Sequence, residues 1–125
     1  MPTVKTETQG SYAFLKSEAN GTLSREAIVI ASGAGSLLCG SVLGKVTASG
    51  KYKLYDNDAA DGTQTAVAIL AYDVDATSAD QAAVGIVREA EAWRDRLVWG
   101  VAVTTQAEKD AAYVDFATVN IAVRY

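Results

Sequence analysis

The stretch KYKLYDNDAADGTQTAVAIL, residues 51–70, contains two apolar segments separated by a run of aspartates that ends in glycine. KYKLY, residues 51–55, alternates charged and apolar side chains, a period of two that is typical of a half-buried β-strand. TAVAILAYDV, residues 65–74, is apolar and β-capable and also predicts a strand. Asp61 and Gly62 between them favour the backbone conformations of tight turns. The sequence therefore predicts a hairpin in which these two strands pair around the turn.

The same aspartates could instead form a calcium loop. The twelve-residue loop requires oxygen ligands at positions 1, 3 and 5, glycine at position 6 and glutamate at position 12. With Asp56 at position 1, Ala60 stands at 5, Asp61 at 6 and Val67 at 12. None of these three residues is the required one, so the pattern favours a turn, and no metal site is predicted.

Composition restricts the classes of protein that are compatible with the chain. A length of 125 residues with 50% apolar residues suits one domain with its own core. The net charge is −4 and the basic residues are scattered, which argues against a nucleic-acid surface. The single cysteine excludes an intrachain disulfide, so we expect a reducing compartment. We predict neither a secretory signal nor a membrane segment, and a mature chain that starts near Met1.

Further short apolar runs separated by glycine-containing turns predict a compact, mostly antiparallel β domain with one or two short helices. The predicted strands and loops outside the hairpin are AIVIA at 27–31, a loop SGAGS at 32–36, SVLGKVTA at 41–48, AAVGIVREAEAW at 82–93 followed by a turn of helix, and ATVNIAVRY at 117–125. In the last strand, Val119, Ile121 and Val123 should share one face, with Asn120 and Arg124 on the other.

TTQAEKDAAYVDFA, residues 104–117, is the clear helix candidate. Thr105 stands three residues before Glu108, the spacing of a capping box at a helix N-terminus. The residues expected to share the packing face of this helix are Ala107, Ala111, Tyr113, Val114 and Ala117.

Residues 1–20 are mostly polar and cannot form a core of their own. Tyr12 and Phe14 are two residues apart and would point to the same side of an extended chain. Two interpretations remain open: a disordered tail that rests on the domain, or an arm that orders against a partner by adding a strand to a sheet edge. We therefore divide the chain into a flexible N-terminal arm, residues 1–20, and a single β-rich domain, residues 21–125.

Residues that could carry chemistry are few. The chain has no histidine, the commonest general base and nitrogen ligand, so we expect neither a catalytic site nor a cofactor. Cys39 has no histidine to activate it and is predicted to lie in or near the core. Gly33 and Gly35 begin a dinucleotide-like pattern, but Leu38 stands at its third glycine position.

Two other groups of residues have both a functional and a structural interpretation. The segment DVDATSAD, with Asp73, Asp75 and Asp80, could form a hydrolase pair or bind a hard cation, although a surface loop is the commoner explanation. Trp93 and Trp99 flank RDRLV, whose arginines could stack on them, and indoles are also typical of cores and interfaces.

The order and spacing of these segments resemble those of the lambda-type phage head decoration proteins. The landmarks are SEANGTLSRE at 17–26, ASGAGSLLCGSVLGKVT at 31–47, GKYKLYDNDAADGTQTAVAIL at 50–70, YDVDATSADQAAVGIVREAE at 72–91, LVW at 97–99 and IAVR at 121–124. The chain departs from short lambda-like members in its glycine-rich stretch at 33–44 and in its N-terminus.

The resemblance implies a small β-tulip or β-clip barrel that forms homotrimers and has no enzymatic activity. Such trimers are expected on the outer surface of the expanded virion capsid, at threefold and quasi-threefold positions, after synthesis in the bacterial host cytoplasm. The partners would be other copies of the chain and the major capsid protein. On this basis we expect Val4, Tyr12, Phe14 and Leu15 in the arm to contact the coat. We expect Trp93, Leu97 and Trp99 at the trimer interface or in the adjacent core.

Two other classes compete with this interpretation. A β-barrel binding module without a capsid role would have a deep apolar pocket for a small ligand and would be a monomer. A hydrolase would use Asp73, Asp75 or the carboxylates of residues 56–61, with metal-dependent turnover.

Overall fold

A computed structural model describes residues 11–19 and 23–124 of the chain. Its β-strands, in chain order, are β1 Leu15–Glu18, β2 Arg25–Ile30, β3 Gly35–Leu37, β4 Val42–Lys45, β5 Tyr52–Leu54, β6 Ala68–Leu70, β7 Val74–Ala76, β8 Gln81–Ile86, β9 Ala90–Trp93 and β10 Ile121–Arg124. A 3-10 turn at Arg94–Arg96 and helix α1, Gln106–Ala117, lie between β9 and β10. The described chain is therefore mainly β, as predicted.

Five strands close into a barrel in the order β2-β5-β4-β6-β8. All five contribute buried apolar side chains to one cluster, which therefore occupies the barrel interior. Its largest members include Ile30, Leu43, Tyr52 and Leu70. Neighbouring barrel strands are antiparallel except β2 and β5, which pair in parallel through Ile30 and Tyr52.

A second layer covers the outer face of three barrel strands. Side chains alternate along a strand, so Val42, Ile69 and Ile86 point away from the barrel interior. They join a second core with residues from α1 and from a three-stranded sheet of order β1-β9-β10, in which β9 and β10 are parallel. This arrangement buries both faces of β6, of β4 up to Gly44 and of the second half of β8.

The predicted hairpin of residues 51–74 is wrong in its pairing. β5 and β6 form where the sequence predicts strands, but β4 lies between them: Leu43 is opposite Leu54 on one side and Ala68 on the other. The connection between β5 and β6 is too long for a tight hairpin turn, and it folds back over β4 instead. The Thr47 amide donates to the carbonyl oxygen of Asp61 at 2.9 Å.

Gly62 makes this return of the chain possible. Its φ is +111°, and a Cβ atom at this position would lie 2.3 Å from the carbonyl oxygen of Lys45. Only glycine combines this backbone conformation with so close an approach. Asp61 and Gly62 therefore form a turn, as predicted. This turn packs the connection between β5 and β6 against β4 and does not join two paired strands.

Helix α1 begins as the sequence predicts and packs through a different face. The Thr105 hydroxyl accepts a hydrogen bond from the Glu108 amide at 3.3 Å, which confirms the N-cap. The buried residues are Ala112 and Phe116, whereas Val114 is 68% exposed. Because alanines occur on both sides of α1, only Phe116 marks the inner face, and the predicted face omitted it. No helix in the described ranges is long and apolar enough to cross a bilayer.

The other strand predictions hold with shorter boundaries. The predicted loop at 32–36 ends early, because Gly35–Leu37 pairs with β7 as β3. The single strand predicted at 82–93 is interrupted at Glu89, whose φ is +51°, and becomes β8 and β9. The turn of helix after Trp93 is confirmed. The last strand forms only over Ile121–Arg124, so Val119 and Asn120, which were predicted on its two faces, lie in the turn before it.

Residues 11–18 are part of the folded body, which differs from the predicted arm of residues 1–20. Phe14 is fully buried in the second core, and β1 pairs antiparallel with β9. Tyr12 has a φ of +61° within a turn, so it does not share an extended face with Phe14. A polar segment with one large aromatic residue can join a core that other elements supply, and Phe14 provides this attachment.

Replacing Phe14 with alanine should lower the free energy of unfolding by about 3–5 kcal/mol, because it empties a fully buried aromatic site. Urea denaturation followed by circular dichroism measures the change. Val114→Ala, on the exposed face of α1, is the control and should stay within about 0.5 kcal/mol of the unmodified chain. Equal stability of the two variants would contradict this account of Phe14.

Gly62→Ala and Gly33→Ala separate steric contact from backbone strain. Both glycines have positive φ, but a Cβ atom at Gly33 meets nothing within 4 Å. We expect a loss of about 1–2 kcal/mol for Gly33→Ala and of roughly 3 kcal/mol or more for Gly62→Ala. Thermal unfolding of both variants tests this order, and a larger loss at Gly33 would contradict it.

Candidate interaction surfaces

The four residues predicted to contact the coat lie in different surroundings. Val4 is outside the described residues. Phe14 is fully buried and anchors the segment to the core, so in this conformation its side chain has no surface to offer a partner. Tyr12 and Leu15 are partly buried against the same core, and the Arg25 guanidinium lies 4.1 Å from the centre of the Tyr12 ring.

Three hydrogen bonds to main-chain atoms of this segment attach it to two parts of the body, the residues after β6 and the stretch from the end of β9 onward. The Tyr12 amide donates to the carbonyl oxygen of Ala71 at 2.8 Å, and the Trp93 amide donates to that of Phe14 at 2.7 Å. Arg96 donates from Nη1 to the carbonyl oxygen of Ala13 at 2.9 Å. The chain that precedes Ser11 therefore starts from a fixed position on the body.

An ion pair closes the connection from β1 to β2. Arg25 lies 2.6 Å from Glu18, whose carboxylate also accepts a hydrogen bond from the Ser24 hydroxyl. The hydrogen bond from Arg25 holds the pKa of Glu18 below its ordinary value. The carboxylate therefore stays charged and keeps the beginning of β2 against the end of β1.

The residues predicted at the trimer interface cluster at one end of β9. Leu97 is buried in the second core, which is one of the two positions expected for it. Trp93 is partly buried, with the Lys16 ammonium 5.1 Å from its ring centre. Trp99 is partly buried, and its ring packs edge-to-face with those of Tyr55 and Tyr113, with centroids 6.3 and 5.8 Å apart.

The 3-10 turn Arg94–Arg96, which we call the basic turn, lies between Trp93 and Leu97. The Arg94 guanidinium is 5.1 Å from the Tyr113 ring centre and 3.9 Å from the Asp110 carboxylate. Arg96 is exposed. These contacts join residues that are far apart in the sequence, so no local pattern indicates them.

A depression of about 270 Å³ lies beside the loop that follows Trp99. Its lining includes the apolar residues Ala34, Leu54, Val101, which is 99% exposed, and Ala102, together with the charged residues Lys53, Asp56 and Asp61. We call this depression the charged cleft. Gly100 packs closely on Leu54, since a Cβ atom at Gly100 would lie 3.1 Å from a Leu54 methyl carbon. The loop that carries Val101 is therefore held against the body.

The aspartates of the loop between β5 and β6 stabilise the conformation of that loop. Asp56 accepts a hydrogen bond from the Asp58 amide at 3.0 Å. Asp61 accepts from the amide and hydroxyl of Thr63 at 3.1 and 2.6 Å and lies 2.8 Å from the Lys53 ammonium. The Lys53 contact and these hydrogen bonds hold the pKa of Asp61 far below its usual range. Both carboxylates thus have structural roles.

The aspartates of DVDATSAD also accept hydrogen bonds from main-chain amides. Asp73 accepts from the Cys39 amide at 2.7 Å, and Asp75 caps the turn at Thr77. Asp80 accepts from the Ser32 amide at 2.7 Å and lies 2.6 Å from the Lys51 ammonium. Within residues 11–19 and 23–124, no three histidine, cysteine or acidic side chains form a group that could hold a metal ion.

Cys39 lies in the second core, as predicted. It is 1% exposed, and its thiol donates to the carbonyl oxygen of Ala71 at 3.3 Å. Burial raises the pKa of the thiol, the direction opposite to that needed for a nucleophile. Cys39 therefore packs as a small apolar side chain.

Comparison with known protein families gives one result over nearly the whole chain. The family model of the bacteriophage lambda head decoration protein D matches residues 4–121. No curated protein matches the chain. The match extends from the segment before Tyr12 to the first residue of β10, and it agrees with the resemblance of the sequence landmarks. The chain therefore belongs to the family of the bacteriophage lambda head decoration protein D.

Proposed function

We propose that trimers of this chain bind the outer surface of the expanded phage head at threefold and quasi-threefold sites and cement neighbouring coat subunits there. The family gives the coarser role, decoration of the phage capsid by a structural protein. The observation that carries the proposal is the extent of the family match, which includes the N-terminal segment, both core layers and α1.

The attachment of residues 11–18 supports a role for the N-terminus in capsid binding. Two main-chain hydrogen bonds, one hydrogen bond from the Arg96 side chain and the buried Phe14 ring fix this segment to the body. In this proposal, residues 11–18 connect a contact between Val4 and the coat to the folded body. In this proposal Val4, Tyr12 and Leu15 contact the coat, whereas Phe14 holds the segment in place.

Trimerisation would increase the affinity of the protein for the shell. Each trimer brings three N-terminal segments to the shell, so dissociation requires that all of them be lost together. A ring around a threefold axis uses a heterologous interface, in which two different surfaces of each copy meet. In this proposal the partly buried Trp93 and Trp99 contribute to the trimer contact, and Leu97 supports them from the core.

The packing of the barrel argues against the alternative of a small-ligand module. Such a module would need its interior for the ligand, but apolar side chains from all five strands occupy the interior of this barrel. Exterior decoration requires no contact with DNA and is compatible with the net charge of −4. A reduced Cys39 is compatible with synthesis in a bacterial cytoplasm.

The purified chain should co-sediment with expanded, undecorated heads of its own phage. We expect saturable binding near one chain per coat subunit, because each threefold site would take one trimer. Unexpanded procapsids are the control and should bind little. Equal binding to both shells would contradict recognition of the expanded head, and binding to neither would contradict the proposed function.

Removing residues 1–10 should weaken head binding while the body stays folded, because Phe14 and β1 are retained. If three segments act together, we expect a loss of affinity of roughly 10²-fold or more. Removing residues 1–16 is the contrasting variant, since it also deletes Phe14 and should lower the melting temperature. Unchanged binding after loss of residues 1–10 would contradict the role of this segment.

A further inference from the structure

Strand β2 has a free edge along the line where the barrel closes. Within the described residues, β2 and β5 share a single pair, Ile30 opposite Tyr52. Towards the beginning of β2 the two strands no longer pair, and a groove of about 350 Å³ lies there. Its lining includes residues 26–29 of β2 and, from β4 and β5, Lys45 and Tyr52. The first five residues of β2 therefore have a neighbouring strand on one side only, which is β8.

The main-chain groups of Ala27 lie on this free edge. The Val87 amide donates to the carbonyl oxygen of Ser24, which identifies these two residues as a hydrogen-bonded pair that continues the β2–β8 ladder. Hydrogen-bonded and non-hydrogen-bonded pairs alternate in an antiparallel ladder, so Ala27 and Val84, three pairs further along, are a non-hydrogen-bonded pair. The amide and carbonyl of Ala27 therefore point away from β8, and so does the amide of Val29.

The side chains beside this edge leave it accessible. Ala27 is exposed, and Val29 is 40% exposed. Exposed edges are commonly blocked by charged side chains or proline, and these two outward residues are neither. Across the groove, Lys45 forms no ion pair with any residue that the structure describes, and its ammonium lies 5.8 Å from the centre of the Tyr52 ring. The edge is therefore suited to accept a strand from another chain.

We propose that an extended segment of the major capsid protein adds to this edge of β2 as a further strand when the protein binds the head. This proposal rests on the proposed function, which supplies the coat protein as the partner, and it adds the surface of the body that receives the coat. The arm predicted from the sequence adds its own strand to a partner, whereas here the folded body accepts one. The incoming segment would bond to the main chain of Ala27 and Val29, place small or β-branched side chains beside them, and bring a carboxylate to Lys45.

The position of the N-terminal segment favours the coat as the occupant. The described chain begins at Ser11, and the ring centre of the next residue, Tyr12, lies 4.1 Å from the guanidinium of Arg25, the first residue of β2. In the proposed function, residues 1–10 contact the coat, so a coat segment that meets the chain at Ser11 lies next to the free edge. A second copy of the chain fits this edge less well. Pairing of two β2 edges is isologous and closes a dimer, whereas a trimer needs two different surfaces.

Hydrogen–deuterium exchange of the free protein and of protein bound to expanded heads tests this contact. In the free protein the amides of Ala27 and Val29 should exchange fast, whereas those of Ile28 and Ile30, which face β8, should exchange slowly. Binding to heads should slow exchange at Ala27 and Val29 by about tenfold or more, because the added strand accepts their hydrogen bonds. Mass spectrometry of overlapping peptides from residues 25–31 measures the change. Unchanged exchange at these two amides in head-bound protein would overturn the proposal.

The same measurement distinguishes the coat from other occupants of the edge. Slow exchange at Ala27 already in the free protein would mean that the chain or its trimer covers the edge, and this result would overturn the proposal. The variant without residues 1–10 separates the coat from the N-terminal segment. If this variant is bound to heads at saturating concentration and the protection of Ala27 is lost, the N-terminal segment occupies the edge, which also overturns the proposal. Retained protection supports the coat segment.

Val29→Lys and Val101→Lys form a matched pair of substitutions at exposed valines. A lysine beside a free edge hinders strand addition, so Val29→Lys should weaken binding to expanded heads by about tenfold or more. Val101→Lys lies beside the charged cleft and should bind like the unmodified chain. Co-sedimentation measures the affinity, and circular dichroism verifies folding. Equal affinity of the two variants would overturn this contact alone, whereas an unmodified chain that does not bind heads would overturn the proposed function as well.

Discussion

The structure depends on three barrel strands that are buried on both faces over much of their length: all of β6, β4 up to Gly44 and the second half of β8. β4, β6 and β8 direct alternate side chains into the barrel interior and into the outer core, as the adjacent residues Val42 and Leu43 illustrate. A strand buried on both sides requires a layer on each side. The barrel itself supplies one layer, and the sheet β1-β9-β10 with α1 supplies the other. Apolar side chains therefore fill the barrel interior, and interaction surfaces lie outside it.

The N-terminal segment shows how this constraint bears on function. The fully buried Phe14 ring is part of the outer core, together with residues of β8 and β9. The polar residues around Phe14 would not order by themselves, since fixing them costs conformational entropy that their own apolar burial cannot offset. Attachment through one buried ring and a few main-chain bonds gives the chain a fixed exit point on the body.

The charged residues mostly organise loops. Aspartates that resemble catalytic or metal-binding groups in the sequence cap turns, accept main-chain amides or pair with lysines. Asp61 combines several of these roles and is ionised throughout the physiological range. These bonds also fix the loop beside the charged cleft.

The sequence by itself determined the local elements of this protein. Alternation in residues 51–55, the capping threonine of α1 and the turn after Trp93 each depend on neighbours within a few residues, and each is found where it was predicted. The order of the landmarks was also sufficient to indicate the family. The functional assignments of Val4, Trp93 and Trp99 remain predictions, because they concern partners and not the chain itself.

The tertiary structure decided the strand pairing, the inner face of α1 and the place of Phe14. Pairing of β4 with both β5 and β6 depends on how a long loop returns across Gly62, and sequence periodicity carries no information about that path. The face of α1 depends on where the second core receives Phe116, since alanines lie on both sides of the helix. Phe14 joins the core because strands that are distant in the sequence together form the apolar site that its ring occupies. In each case the deciding contacts join residues that are far apart in the chain, so their free energy exists only in the assembled fold.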